Sequence, residues 1–412
     1  MTPPTRIDMQ EATRLTREGR LQDAMAVLQG RRQPARQNSP APAQAGVDQA
    51  QTPIDMQPPT PGSDGAWTAA PTASAAKPPA PSPARPAAAG GLAASSLLAR
   101  LRSMPLAGAP RPGQAAEPTV PEGARFERRS FGPPGASREY RLYVPASIAS
   151  GATPARVPLV VMLHGCTQSP EDFAVGTGMN RLAEQQGFVV AYPAQSSAAN
   201  SSRCWNWFNA ADQQRDRGEP ALIAGITREI MQAFPVDPAR VYVAGLSAGG
   251  AAAAILARTY PDLYAAAGVH SGLACGAASD VGSAFAAMRH GGTGKPPATT
   301  TALFPTIVFH GDKDRTVHPV NGEQVLQQAR GGQRLAAQSS RGRASGGGEY
   351  SRTVEVDAQG RPLLEHWLLH GAGHAWSGGD AAGSYTDASG PDASAEMLRF
   401  FNQHALASAA AA

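Results

Sequence analysis

The sequence has few residues that could build a metal centre or a disulfide framework. Only three cysteines occur in 412 residues, and the spacing of Cys166, Cys204 and Cys275 suits no zinc site. One disulfide at most can form. We expect neither a metal nor a cofactor.

Long apolar runs and clustered cations are also missing. No stretch approaches 18 consecutive apolar residues, so no transmembrane helix is expected. The first eight residues lack the apolar core of a signal peptide, which favours a cytoplasmic location, with an extracellular one as the alternative. No cluster of Lys and Arg interleaves with aromatic side chains, so no nucleic-acid partner is expected.

The composition divides the chain into three parts. Apolar residues recur at roughly helical spacing in residues 1–32 and predict a short amphipathic helical segment. Residues 33–116 are dominated by Pro, Ala, Gly, Ser and Gln, which predicts a disordered linker because they bury too little apolar surface. Residues 117–408 remain for one large domain.

The charge follows the same division. Residues 1–115 hold 12 Lys and Arg against 7 Asp and Glu, and the rest of the chain holds 24 against 25. The net charge of +4 therefore comes from the N-terminal part. The helical segment is expected to pack on its own domain or on a second copy; binding of a granule or another partner is the alternative.

Strand and helix patterns alternate in the large domain. Two alternating segments at 125–131 and 139–144 predict an antiparallel start. Continuous apolar runs at 157–163 and 188–192 are typical of strands buried on both faces. The pattern predicts an α/β fold, with a mostly parallel central sheet and helices on both faces.

Three further segments carry simpler expectations. Residues 171–186 predict one helix that ends at Gly187, and residues 276–303 predict an insertion with a small helix. Residues 333–348 are polar and rich in Gly and Ser, which predicts a loop.

The most informative motif is Gly-Leu-Ser-Ala-Gly at residues 245–249. An apolar strand precedes it and an Ala-rich helix follows it, which is the context of a nucleophilic serine on a sharp turn. Ser247 is the predicted nucleophile. The alternative is a serine in an ordinary strand-to-helix turn.

An acid and a base follow the serine in the order such sites use. Asp314 lies in the loop after a predicted strand and is preferred over Asp312, which is better placed to brace the turn. His374, in a Gly-rich loop, is the predicted base, and His370 is a weaker candidate. The alternative is that both aspartates only cap turns.

Two backbone N–H groups are predicted to stabilise an oxyanion. One belongs to Ala248 and the other to Cys166, in the segment His-Gly-Cys-Thr-Gln at residues 164–168. Cys166 could pair with Cys204, although two buried thiols are preferred in a reducing cytosol.

The aromatic side chains suggest a substrate-binding wall. It would consist of Trp205, Trp207 and Phe208, with Trp376 beside the base. An equally good interpretation makes these aromatic residues core anchors.

Together these motifs resemble the poly(3-hydroxybutyrate) depolymerase family, which includes feruloyl and acetyl-xylan esterases. The resemblance rests on residues 164–168, 204–208, 245–249, 310–317 and 373–376, and covers about residues 124–405. It implies an α/β-hydrolase fold and a Ser247, Asp314, His374 triad.

The resemblance also implies a serine-dependent carboxylic ester hydrolase, with poly- or oligo(3-hydroxybutyrate)-type esters as the expected substrate. Feruloyl or acetyl-xylan-type esters are one alternative. A protein that binds a granule or partner, with hydrolysis secondary, is the other.

Overall fold

The computed structural model describes residues 117–133, 137–151, 156–293 and 302–407, together with 56–57 and 68–69. The chain divides into two compact units, Met1–Gly91 and Leu92–Ala412. In the first unit, β1 (Met56–Gln57) pairs antiparallel with β2 (Thr68–Ala69). The predicted amphipathic segment lies outside the described residues. Of the predicted linker, only residues 56–57 and 68–69 are described.

The second unit contains a ten-stranded sheet. Its strands are β3 (Arg125–Phe131), β4 (Arg138–Val144), β5 (Val157–Leu163), β6 (Val189–Pro193), β7 (Val236–Leu246), β8 (Ala266–His270), β9 (Thr306–Gly311), β10 (Ala336–Arg343), β11 (Glu349–Val356) and β12 (Pro362–His370). Their order across the sheet is β10-β11-β12-β9-β8-β7-β5-β6-β4-β3.

The centre of the sheet is parallel and its margins are antiparallel. The strands from β12 to β6 run parallel, whereas β3 and β4 at one end and β10 and β11 at the other pair antiparallel. The predicted mostly parallel sheet with an antiparallel start is confirmed. Parallel strands place their carboxyl ends at one edge, where such sheets carry their sites.

Helices cover both faces of the sheet. They are α1 (Ala146–Ala149), α2 (Pro170–Thr177), α3 (Met179–Gln186), α4 (Gly218–Ala233), α5 (Ala248–Thr259), α6 (Val281–His290), α7 (Val320–Arg330) and α8 (Ala393–Phe401). A short 3₁₀ turn spans Ala210–Gln213, and β13 (Trp376–Ser377) pairs with β14 (Thr386–Asp387).

Strand β5 shows how the two layers share the sheet. Leu159, Val161 and Leu163 pack into the cluster that contains α4 and α5, and Val160 and Met162 pack into the one that contains α2, α3 and α8. Alternate side chains of a strand point to opposite faces, so both faces of an apolar run are buried.

Two predicted elements differ in the structure. The single helix expected over 171–186 is two helices, because Gly178 takes a left-handed conformation (φ 61°) between α2 and α3. The predicted loop at 333–348 contains strand β10. This strand is an edge strand with mostly exposed side chains, so its sequence has no apolar alternation from which it could be predicted.

Candidate active site

Ser247 lies on the turn between β7 and α5. Its backbone has φ 58° and ψ −119°, a conformation that costs a residue with a side chain of order 1 kcal/mol or more. The Ser247 N–H donates to the carbonyl of His270 at 2.8 Å, which fixes the turn against the end of β8. The sharp turn predicted from the sequence is confirmed.

Two glycines make this turn possible. A Cβ on Gly245 would lie 2.4 Å from the backbone of Gly249, and a Cβ on Gly249 would lie 2.0 Å from the Leu163 carbonyl oxygen. Real Cβ atoms do not approach backbone this closely. Strand β5, strand β7 and helix α5 therefore pack around Ser247 only where side chains are missing.

Asp314 and His374 form a close pair at the same edge of the sheet. Asp314 follows β9, His374 follows β12, and these strands are parallel neighbours. Oδ2 of Asp314 accepts from Nδ1 of His374 at 2.7 Å. The Asp314 side chain is fully buried and that of His374 is 7% exposed.

The other oxygen of Asp314 is also occupied. Oδ1 accepts the N–H groups of Thr316 at 2.9 Å and Val317 at 2.8 Å. Burial raises the pKa of the Asp314 carboxyl, but the bonds from His374 and Val317 outweigh it and hold the pKa below its ordinary value of 3.8. The ionised carboxylate keeps the ring proton on Nδ1, which leaves Nε2 as the acceptor nitrogen of His374.

Asp312 has a different set of partners. Its Oδ1 accepts the N–H of Gly371 at 2.8 Å, and its Oδ2 lies 3.2 Å from Nδ1 of His370. It braces the loop that begins after β12, and in the described part of the chain no hydrogen bond or ion pair joins it to His374.

His270 joins the serine side of the site to the histidine side. Its carbonyl oxygen accepts from Ser247, and its Nε2 accepts the N–H of Ser377 at 3.0 Å. Burial, together with the neighbouring His310 and His374, lowers the pKa of His270 to about 3, so the ring is neutral. His270 has this position because β8 lies between β7 and β9 in the sheet, an order that the sequence does not show.

Within the described residues, no hydrogen bond joins Ser247 Oγ to the His374 ring. The two residues follow β7 and β12, which lie on either side of β8 and β9. Hydrogen bonds of this kind are often long or poorly aligned in unliganded sites and tighten when a substrate binds.

The loop after β5 approaches Ser247 from the other side. The position of a Cβ on Gly165 lies 3.6 Å from Cβ of Ser247. The Cys166 N–H has no acceptor within the described residues, and the Ala248 N–H is the first of α5, so no acceptor exists for it within the helix. Among the residues that the structure describes, neither predicted oxyanion donor has an acceptor for its N–H group.

His164 orients the peptide that carries the Cys166 N–H. Its Nε2 accepts the N–H of Gln195 at 3.1 Å, so Nδ1 carries the proton and donates to the carbonyl oxygen of Gly165 at 2.8 Å. Burial lowers the pKa of His164 to about 4, so the ring is neutral near pH 7. Fixing this carbonyl on one side directs the N–H of the same peptide to the other.

Cys166 and Cys204 form a disulfide, although the sequence argument preferred two thiols. The bond ties the loop after β5 to the segment that follows β6. Nε1 of Trp205 adds a second link, since it donates to the His164 carbonyl oxygen at 3.0 Å. Cys275 remains a buried free thiol.

The prediction that tryptophan side chains line a substrate-binding wall is wrong. Trp205 and Trp376 are 1% exposed and Trp207 is 6% exposed, and all three belong to the hydrophobic core. Trp376 also donates from Nε1 to Ser394 Oγ at 3.1 Å. Phe208 is partly buried, with its ring edge-on to Trp207. Large apolar rings gain more from core packing than from lining an open surface, and composition alone does not separate these roles.

No group of three or more His, Cys, Asp or Glu residues in the described part of the chain could hold a metal ion. Within the same part, none of the helices combines the length and apolar character that a membrane span needs.

The sheet order, the strained serine turn between β7 and α5 and the Asp314–His374 pair define an α/β-hydrolase fold. The chain belongs to the esterase PHB depolymerase family, whose model matches residues 138–351.

Similar proteins include depolymerases and esterases. Poly(3-hydroxyalkanoate) depolymerase C of Paucimonas lemoignei is 35% identical over 233 residues, which cover 54% of this chain and 55% of that protein. A probable acetylxylan esterase A of Neosartorya fischeri is 27% identical over 53% of this chain and 61% of its own length. The chain thus spans little more than half of these relatives.

An acetyl xylan esterase from Aspergillus awamori has a similar solved structure. The TM-score is 0.52 at 20% identity, and the match covers 67% of this chain and 99% of that one. This likeness confirms the fold.

Proposed function

We propose that this protein is a serine-dependent carboxylic ester hydrolase that works through an acyl-enzyme. The observation that carries the proposal is the strained turn at Ser247, which shares one sheet edge with the hydrogen-bonded pair Asp314 and His374. Strained backbone in the turn at the carboxyl end of a central strand is typical of a nucleophile held in an attacking position.

In the proposed first step, Nε2 of His374 takes the proton of Ser247 as Oγ attacks the ester carbonyl carbon. Asp314 holds the ring with its proton on Nδ1 and stabilises the imidazolium that forms. The N–H groups of Ala248 and Cys166 donate to the oxyanion of the tetrahedral intermediate. His374 then protonates the leaving alcohol, and the ester bond breaks to give the acyl-enzyme.

In the second step, His374 takes a proton from water as the water oxygen attacks the acyl carbon. The second tetrahedral intermediate collapses, Ser247 recovers its proton from His374, and the carboxylic acid leaves. Only serine, histidine, aspartate and two backbone donors are needed, so the reaction requires no cofactor.

The family and the Paucimonas relative favour poly- or oligo(3-hydroxybutyrate)-type esters as substrates. The acetylxylan esterase relative favours an acetyl or feruloyl ester of a plant polysaccharide as the second candidate. Rates on hydroxybutyrate oligomers, acetylated xylan and methyl ferulate, measured on one preparation, would separate them. Higher kcat/KM on the polysaccharide esters would overturn the first choice.

We expect Ser247→Ala to lower kcat on p-nitrophenyl butyrate by about 10⁴-fold or more, because the variant lacks the hydroxyl on which the proposed acyl-enzyme forms. The melting temperature should stay near that of the wild type. Ser339→Ala, on the exposed strand β10, is the matched control and should leave kcat unchanged. Wild-type turnover by Ser247→Ala would refute the assignment.

The disulfide bears on the location. Disulfides persist in oxidising compartments and are rare in the cytosol, so Cys166–Cys204 supports the extracellular alternative over the cytoplasmic expectation. Fractionation of the native host, with immunodetection of the protein, tests this. Recovery of the protein with both cysteines reduced in the cytosolic fraction would contradict it.

As the alternative to packing on its own domain or on a second copy, the segment before residue 117 is proposed to attach the enzyme to a granule or partner. Its helical apolar spacing and positive charge support this role. A variant that lacks residues 1–116 should keep its activity on soluble esters and lose co-sedimentation with polyester granules. Unchanged co-sedimentation would remove the proposal.

A further inference from the structure

Gln168, two residues after Cys166, is a buried amide whose oxygen and nitrogen both have hydrogen-bond partners. It is 2% exposed. Its Oε1 accepts the Gly165 N–H at 2.9 Å. Its Nε2 donates to Oδ2 of Asp172 at 3.0 Å and lies 3.1 Å from the carbonyl oxygen and 3.2 Å from Oγ of Ser384.

Asp172 fixes which way this amide faces. Its Oδ1 accepts the N–H of Ser384 at 2.9 Å, and its Oδ2 accepts from the Ser384 hydroxyl as well as from Gln168. Since these oxygens act only as acceptors here, the NH₂ group of Gln168 must face them. Oε1 is then left to hold the Gly165 N–H, on the peptide next to the one that carries the Cys166 N–H.

Ser384 connects this network to the other half of the site. It lies in the segment after His374, and the neighbouring Tyr385 accepts the N–H of Trp376 at 2.7 Å through its carbonyl oxygen. The Tyr385 hydroxyl lies 3.2 Å from Oγ1 of Thr167. Both Thr167 (φ 68°) and Tyr385 (φ 54°) have left-handed backbone, so the contact joins two strained positions.

We propose that Gln168 is a positioning residue that sets the oxyanion donor of Cys166 and ties it to the segment that follows His374. The proposal rests on the esterase function argued above. Gln168 touches neither the nucleophile nor the base, and it acts through the Gly165 N–H on one side and through Asp172 and Ser384 on the other. Misplacing an oxyanion donor by a fraction of an ångström lowers kcat and leaves KM nearly unchanged.

Reversing the donor and acceptor of the Gln168–Asp172 bond tests this. In Gln168→Glu two carboxylates face each other, and kcat should fall about 10- to 100-fold at pH 8 with KM within about threefold of wild type. At low pH the pair holds a proton that can donate across the contact. The ratio of variant to wild-type kcat should therefore rise as the pH falls from about 8 to 5.

The double variant Gln168→Glu with Asp172→Asn restores one donor and one acceptor in the opposite order. This double variant should recover at least half of the decrease in log kcat that Gln168→Glu causes. The ratio of its kcat to the wild-type kcat should not depend on pH. Recovery is partial because the Ser384 carbonyl loses its donor.

Gln328→Glu is the matched control. Away from the site, the Gln328 amide accepts from the Cys275 N–H at 3.0 Å and donates to the Cys275 carbonyl oxygen at 2.8 Å. This control variant should lower the melting temperature and leave kcat unchanged.

A wild-type kcat for Gln168→Glu at pH 8, or a folded double variant with no recovery, overturns the proposal. Should Gln168→Glu fail to fold, the double variant is compared with Asp172→Asn alone, and it must have the higher kcat; an equal or lower value also overturns the proposal.

Treating the wild type with diisopropyl fluorophosphate and mapping the modified peptide separates the proposed esterase function from the proposed role of Gln168. No modification at Ser247 defeats the proposed function, whereas modification of Ser247 with unaffected Gln168 variants defeats only this inference.

Discussion

Two carboxylates, two residues apart, have different partners at the end of strand β9. Asp314 is fully buried and bonds to His374, whereas Asp312 is partly exposed and bonds to Gly371 and His370. The difference arises because the loop after β9 turns one side chain inward and the other toward the neighbouring strand end. Only the inward carboxylate can fix the ring proton of His374.

We expect Asp314→Asn to lower kcat by about 10⁴-fold with little change in KM. An amide in this position presents a donor, or a weaker acceptor, to Nδ1 and so favours the wrong tautomer of His374. Asp312→Asn is the matched control and should keep kcat within about threefold. Steady-state kinetics on p-nitrophenyl butyrate measures both, and equal losses in the two variants would contradict the assignment of Asp314.

At the scale of elements, the loop after β5 is held from several directions. The disulfide joins it to Cys204, and the indole of Trp205 donates to its first carbonyl group. Its own His164 and Gln168 side chains bond to Gln195 after β6 and to Asp172 on α2. These contacts bring the loop after β6 and helix α2 into the support of one short turn. Because the backbone of this turn is held in place, the Cys166 N–H can remain unpaired until a substrate binds.

The disulfide gives a prediction for this element. Denatured, unreduced protein should titrate as one thiol, Cys275, and as three after reduction. Cys204→Ser should lower the free energy of unfolding by about 3 to 4 kcal/mol, because the bond closes a loop with a sequence separation of 38. Thiol titration and denaturant unfolding measure these two quantities. Three thiols in the unreduced protein would show that the bond is absent.

At the scale of the whole molecule, buried histidines set the pH response of stability. Burial lowers the pKa of His164, His366 and His404 to about 4 and that of His270 to about 3, from an ordinary value of 6.5. Below pH 6.5 the unfolded chain takes up protons at these rings and the folded protein does not. We therefore expect these four rings to lower the stability as the pH decreases from 6.5 toward 4.

We expect each such histidine to contribute at most about 3 kcal/mol of this loss. Urea unfolding at pH 7, 6, 5 and 4.5 should show a steadily decreasing free energy of unfolding. His404→Gln should make the dependence shallower, because one proton-binding group is gone from the unfolded chain. The lowered pKa of Asp314 adds its own loss only at still lower pH. A flat stability between pH 6.5 and 4.5 would refute the explanation.

Much of the fold could be predicted because its signals are local. The apolar run of β5 and the Gly-x-Ser-x-Gly turn at Ser247 each depend on neighbouring residues, and the structure has both. Strand β10 and the break at Gly178 could not be predicted. An exposed edge strand has no apolar pattern, and a single glycine inside a helical pattern is compatible with one helix or two.

The sequence by itself determined the strand-turn-helix at Ser247, since an apolar strand pattern, a Gly-x-Ser-x-Gly turn and an Ala-rich helical pattern follow one another directly. It also determined the order in which an acid and a histidine follow that serine. Only the tertiary structure decided that Trp205 and Trp376 lie in the core, that Cys166 bonds to Cys204, and that Gln168 spans two halves of the site. Burial and long-range pairing depend on which distant segments meet, and that depends on strand order, which local patterns do not encode.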